Sequence, residues 1–117
     1  MILAIVGSRH FTNFDLLEQC INQMIQGTDQ KITKIISGGA KGADHLAEKF
    51  AKKYGIEIIV HHADWEKYGK SAGPKRNTLI VDSCDVLVAF PSKDSRGTWD
   101  SVTKAKRVGK KVYIFHV

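Results

Sequence analysis

Ile36 to Phe50 reads ISGGAKGADHLAEKF, and this stretch decides the fold. An apolar run ends at Ser37, Gly38, Gly39 and Gly42 turn the chain, and Leu46, Ala47, Phe50, Ala51 and Tyr54 then recur at helical spacing. Strand, tight glycine turn and helix make the start of a β–α unit. The glycines fit neither standard phosphate-loop spacing. G-x-x-x-x-G-K-[ST] is absent, and the three glycines do not form G-x-G-x-x-G. Whether the loop holds an anion or only joins a strand to a helix depends on its neighbours.

Working outward, the same alternation repeats. MILAIVG (1–7) is an apolar run ending at a glycine, as a buried strand does. Phe14, Leu17, Ile21, Met24 and Ile25 mark a helix, with Thr12 and Asp15 as a capping-box-like start and Gly27 as its stop. KITKIIS (31–37) is the second strand, and the helix after the glycine turn closes at Gly55. IEIIVHH (56–62) is the third strand, followed by a polar, aromatic loop, HADWEKYGKSAG. Pro74 suits the first turn of a helix running to about Cys84. DVLVAFP (85–91), GTWDSVTKAKRVG (97–109) and KKVYIFHV (110–117) complete the series.

Five strands alternating with four helices predict a Rossmann-like α/β fold, a doubly wound parallel sheet with helices on both faces. The expected strand order is 3-2-1-4-5. Residues 1–117 read as one domain, without repeats, linkers or low-complexity tracts. In such sheets a ligand sits beyond the carboxyl ends of the strands, where the order reverses. Here that is between the first and fourth strands.

Composition agrees with a water-soluble domain: 43% of residues are hydrophobic and 26% charged. No apolar run is long enough to span a bilayer, and the first residues lack the basic region and cleavage site of a signal peptide. Cys20 and Cys84 read as buried free thiols in helix positions. A cytoplasmic protein with no membrane partner is expected. The formal charge of +6 fits an anionic partner or simple solubility, and the densest basic run, KAKRVGKK, falls where a helix end favours cations.

The loops after the strands carry the chemistry. They are GSRHF (7–11), SGGAKGAD (37–44), the segment with Asp64, Trp65 and Lys70 leading to GPKRN (73–77), and FPSKDSRGT (90–98). Helix N-termini converging on one edge offer unpaired N–H groups to an anion. Gly7, Gly38, Gly39, Gly42 and Gly97 let backbone approach a ligand. Ser8, Ser37 and Thr98 can donate to phosphate oxygens, while Arg9, Arg76 and Arg96 add charge-assisted contacts. Trp65, Tyr68, Phe11 or Trp99 can offer an aromatic face to a base. Plainer explanations stand beside these. Glycine suits any tight βα turn, Asp44 suits a helix first turn as well as a ribose contact, and Asp64 suits a turn cap. Metal and nucleophile signals are weak: His61 and His62 with Asp64 are adjacent, but neighbouring residues at a strand end point in opposite directions. GKSAG (69–73) has the G-x-S-x-G spacing but does not follow a strand directly, so it makes no nucleophile elbow, and H-E-x-x-H does not occur.

In their order, GSR, SGGAKGADHLAE, ADW with AGPKRN, and FPSKDSRGT resemble the SLOG superfamily over almost the whole chain. That group is named for the SMF/DprA proteins and the LOG-type phosphoribohydrolases, and the resemblance is to its small YspA-type stand-alone branch. It implies a Rossmann-like domain holding a nucleotide at this edge. The loops and the resemblance together give the candidate ligand-binding positions Gly7, Ser8, Arg9, Ser37, Gly38, Gly39, Lys41, Gly42, Asp44, Trp65, Arg76, Asn77, Pro91, Arg96, Gly97 and Thr98. No metal or cofactor is implied, and a homodimer is expected from such relatives.

LOG enzymes cleave the N-glycosidic bond of nucleoside 5′-monophosphates, with an S-G-G-x-x-G loop, an arginine and P-G-G-x-G-T-x-x-E. Ser37, Gly38, Gly39, Gly42, Arg76, Gly97 and Thr98 match. The glutamate position holds Ser101, and SKDSR replaces the short glycine pair. Glycosidic cleavage develops positive charge on the ribose, which a carboxylate must stabilise. Either Asp100, Asp44 or Asp64 supplies it from another direction, or the domain binds without cleaving. The readings are therefore a nucleotide-binding module, an N-glycosidase with a displaced carboxylate, and a DprA-like nucleic-acid-binding domain.

Overall fold

The computed structural model describes residues 1–116. Five parallel strands form one sheet: β1 (Ile2–Gly7), β2 (Lys34–Ser37), β3 (Glu57–Val60), β4 (Val86–Phe90) and β5 (Lys111–Ile114). Their order is β3-β2-β1-β4-β5, as expected. The helices are α1 (Phe14–Gln26), α2 (Ala43–Tyr54), α3 (Trp65–Tyr68), α4 (Ala72–Ser83) and α5 (Arg96–Arg107). With its neighbours on both sides, β1 is the axis of the sheet: Leu3 pairs with Ile35 on β2 and with Val86 on β4.

The two-residue period of a strand divides the core between the faces. Leu3 and Ile5 point to the side packed by Leu17 and Ile21 of α1 and Phe50 of α2. Ala4 and Val6 point to the side packed by Ile80 and Val81 of α4 and Val102 and Ala105 of α5. The crossovers from β1 to β3 therefore run on one face, and those from β3 to β5 run on the other. The reversal between β1 and β4 leaves a crevice at their carboxyl ends.

Two local expectations are corrected. Asn13, not Thr12, caps α1, because its side-chain oxygen accepts from Leu16 N at 3.1 Å. The segment expected as a loop, HADWEKYGKSAG, is mostly helical. Asp64 caps α3 by accepting from Lys67 N at 3.1 Å, and a 3₁₀ turn over Gly69–Ser71 leads directly into α4. Gly27 and Gly55 end α1 and α2 as expected.

Both cysteines are free thiols. Cys20 is only half-buried on α1, and Cys84 is buried at the cap position just beyond α4, on the other face of the sheet. Among the described residues, no helix is long and apolar enough to cross a membrane.

Candidate functional site

A cleft of about 1010 Å³ opens at the carboxyl ends of the strands, at the upper end of the size range of small-molecule sites. The segments that follow β1, β2, β3 and β4 contribute to it. The end of β1 gives Gly7, Ser8 and Arg9; the β2 loop gives Gly38, Gly39, Lys41 and Asp44; β3 gives His62 and, through α3, Trp65. Arg76 and Asn77 enter from α4. Ser92, Ser95 and Arg96 to Thr98 enter from the β4–α5 turn, with Asp100 and Ser101 one turn further along.

The turn into α2 is locked by contact. Gly42 has φ +73°, and a Cβ there would overlap the Ser8 carbonyl oxygen and lie 2.5 Å from the Arg9 carbonyl carbon. Ala43 N–H donates to that Ser8 oxygen at 3.1 Å. The β1 and β2 loops thus touch backbone to backbone, which only a glycine allows.

Most of the polar capacity of the glycine loop is taken up internally. Ser37 is fully buried; its hydroxyl donates to Asp44 O and accepts from Gly39 N, both at 3.2 Å. Ala40 N–H donates to Asp44 Oδ2 at 3.2 Å. Ser37 therefore shapes the loop and does not reach the cleft, contrary to its expected place on a phosphate. Pro91 is buried and Gly42 lies under the loop, and neither lines the main cleft. Gly42 borders a smaller hollow beside it with Lys41, His45 and Glu48.

Arg76 and Asn77 connect the loops across α4. Arg76 Nη1 donates to Gly38 O at 2.7 Å, and its Nε donates to Asn77 Oδ1 at 3.0 Å. Asn77 Nδ2 in turn reaches Gly97 O at 3.2 Å and Asp100 Oδ2 at 3.1 Å. Asp100 also accepts from Lys104 Nζ at 2.8 Å, and that ammonium reaches Pro74 O as well. Of the three candidate carboxylates, Asp100 is thus held in a network at the cleft wall. Asp64 is committed to capping α3 and does not line the cleft. Asp44 lines it and is 8% exposed. Burial raises its carboxyl above the ordinary range, against the opposing pull of the Ala40 amide, Arg76 and the Gly38 amide.

The β4–α5 turn differs in character. Ser8, Ser92 and Ser95 form a chain of hydroxyls, Ser92 Oγ lying 3.1 Å from Ser8 Oγ and 3.0 Å from Ser95 Oγ. Ser95 sits at the N-cap of α5 without bonding its amides through its side chain. Arg96 N reaches Asp94 O and Trp99 N reaches Ser95 O, whereas Gly97 N and Thr98 N meet no acceptor among the described residues. Arg9 and Arg96 are exposed at the cleft, and neither side chain bonds a described residue. Sequence reasoning missed Ser92 and Ser95; their i, i+3 spacing just before a helix was the available signal.

Among the aromatic candidates, Trp65 alone lines the cleft, with its ring edge over Gly73. Phe11 is buried and stacked on Phe90 at 5.1 Å, and Trp99 faces His116. Tyr68 lies beneath Lys67 and Lys75. Those three are outside the cleft.

Comparison with known proteins agrees with this architecture. The model of the family described as "YspA, cpYpsA-related SLOG" matches residues 1–68, from β1 through α3. The Gene 61 protein of Mycobacterium phage D29 is 38% identical over 87 residues, covering 69% of this chain and 70% of that protein. Among solved structures, DNA processing protein A (DprA) from Streptococcus pneumoniae superposes with a TM-score of 0.72 at 22% identity, over 96% of this chain. The Helicobacter pylori protein, described for its single-stranded DNA binding mode, gives 0.70 at 18% identity over 97%. This chain spans 49% and 64% of those two DprA chains, and at such identity the likeness shows the fold. The chain belongs to the YspA, cpYpsA-related SLOG family.

Proposed function

We propose that the cleft binds a nucleotide or nucleotide-derived small molecule and that the domain acts as a ligand-binding or sensor module. The observation that carries this reading is the uncapped N-terminus of α5 at the strand-order reversal. There the Gly97 and Thr98 amides, the Ser8, Ser92 and Ser95 hydroxyls and Arg96 surround one place for an anion. Trp65, at the β3 side of the same cleft, supplies an apolar face for a base. A homodimer, which rests on the family resemblance, and a cytoplasmic location, which rests on the two free cysteines, belong to the same proposal.

The test is incubation of the purified protein with a panel of nucleotides, followed by calorimetry and by mass spectrometry of the products. Saturable retention of an intact nucleotide, weakened at least about tenfold by Arg96→Ala, is the expected result. Free base with ribose phosphate among the products would instead establish an N-glycosidase, with Asp44 the first carboxylate to replace. No saturable binding of any nucleotide would sink the reading.

A second reading, binding of single-stranded nucleic acid, draws on the structural likeness to the Helicobacter pylori DprA and on the formal charge of +6. It requires binding to single-stranded DNA that weakens steeply as salt rises.

A further inference from the structure

The nucleotide reading gives one buried side chain, which braces the β2 loop by accepting from the Ala40 amide, no part in holding the ligand. Of the three carboxylates that line the cleft, Asp44, Asp94 and Asp100, only Asp44 is buried, at 8% exposed. A charge there is costly to bury and repels phosphate. The amides beside it are already occupied, since Gly39 N–H meets the Ser37 hydroxyl and Ala40 N–H meets Asp44 itself. The β2 glycine loop therefore offers a phosphate little, while the α5 end offers it much.

The strand order arranges these chemistries in a line. From β3 to β4 the cleft presents Trp65, then Asp44 with Arg76, then Arg9 after β1, then the α5 N-terminus. Three inter-strand spacings cover about 14 Å, enough for a nucleotide laid lengthwise with its base toward Trp65 and its phosphate on α5. Its sugar then lies over Asp44. An ionised carboxylate is an acceptor only, with room for about four hydrogen bonds, and a sugar hydroxyl is the donor that such a group recognises.

Resting on the nucleotide reading, we infer that Asp44 is the specificity-determining residue for the sugar. It accepts from the ribose hydroxyls and makes the cleft select ribonucleotides over 2′-deoxyribonucleotides. A deoxy ligand leaves the buried carboxylate without that donor, which is the arrangement that discriminates most strongly.

The experiment compares a ribonucleoside 5′-monophosphate with its 2′-deoxy and 2′-O-methyl counterparts by calorimetry, on wild type and on Asp44→Asn. The variant keeps an oxygen for the Ala40 amide. Wild type is expected to prefer the ribonucleotide by about 10- to 100-fold, a hydrogen bond to a charged group converted to affinity, and Asp44→Asn to lose most of that preference. The 2′-O-methyl ligand has no donor at that position and is expected to bind as weakly as the deoxy one, a comparison that needs no variant. Equal binding of ribo- and deoxyribonucleotides by wild type would overturn the inference and leave the nucleotide reading intact. A preference that survives Asp44→Asn would also overturn it. Failure of every nucleotide to bind would remove the reading beneath it.

Discussion

Arg76 Nη1 donates to the carbonyl oxygen of Gly38 across 2.7 Å, joining two residues 38 positions apart in sequence. This bond fixes the position of the β2 loop relative to α4 and thereby the width of the cleft between them. A Cβ at position 38 would lie 2.7 Å from that guanidinium nitrogen and 2.9 Å from Asp44 Oδ2, so a side chain there would displace the ends of Arg76 and Asp44. Hydrogen bonds to charged groups are worth about 1.5–3 kcal/mol. Arg76→Met should therefore lower Tm by several degrees and weaken nucleotide binding at least about tenfold. Thermal melts and calorimetry on one preparation would check both, and unchanged binding would remove Arg76 from the site.

Gly42 offers a sharper stability test. Its φ of +73° and its contact with the Ser8–Arg9 backbone both oppose a side chain. Gly42→Ala should cost about 3 kcal/mol or more and yield little folded protein. Gly109 also has positive φ, +78°, but nothing lies within 4 Å of a Cβ there. Gly109→Ala should cost only about 1 kcal/mol. Similar melting temperatures for the two variants would contradict the packing account.

Asn77 is 5% exposed and gives its amide hydrogens to Gly97 O and Asp100 Oδ2. Asn77→Ala should lose about 1–3 kcal/mol by removing these two hydrogen bonds, although Lys104 still donates to Asp100 and Ser101 Oγ to Gly97 O. Asn77→Asp should be worse, because it places a second carboxylate against Asp100. Chemical denaturation would rank the pair, and the reverse order would show that Asp100 is not held as described.

The raised pKa of Asp44 has a definite sign. Burial favours its neutral form in the folded state, so the folded protein binds the proton more tightly than the unfolded chain. Stability from this group is present at acid pH and is lost as pH rises from the ordinary carboxylate range through the folded pKa. Asp44→Asn should gain on wild type across that window and hold a constant advantage above it. Melting curves for both from about pH 3 to about pH 8 would show this, and a pH-independent difference would refute it.

The thiols should react in a fixed order. Burial pushes the Cys84 thiol up to about 11, and the residue is 1% exposed; Cys20 is also raised by burial but half-buried. The thiolate is the nucleophile. Iodoacetamide on the folded protein should label Cys20 first and reach Cys84 only on unfolding, as peptide mapping would reveal.

The alternation of apolar runs and helical periods made all five strands and the four longer helices legible, because local pattern and tertiary burial agree in those segments. It misjudged Thr12 because Asn13 is the better-placed cap, and it missed α3 because four residues carry too little periodicity to register. The cleft was legible as a set of strand ends. Trp65, Arg76, Asn77 and Thr98 do line it, whereas Ser37 and Pro91 lie buried outside it.

By itself, then, the sequence determined the alternation of strands and helices and the edge at which the loops gather, and it pointed to the strand order that the sheet adopts. Strand hydrophobicity and right-handed crossovers leave few alternatives for such a chain. Only the tertiary structure decided which polar groups remain available there. Ser37 and the Ala40 amide are satisfied by Asp44, while the amides of Gly97 and Thr98 meet no described acceptor. A hydrogen-bonding group shows its chemistry in the sequence, but its partner is set by three-dimensional proximity.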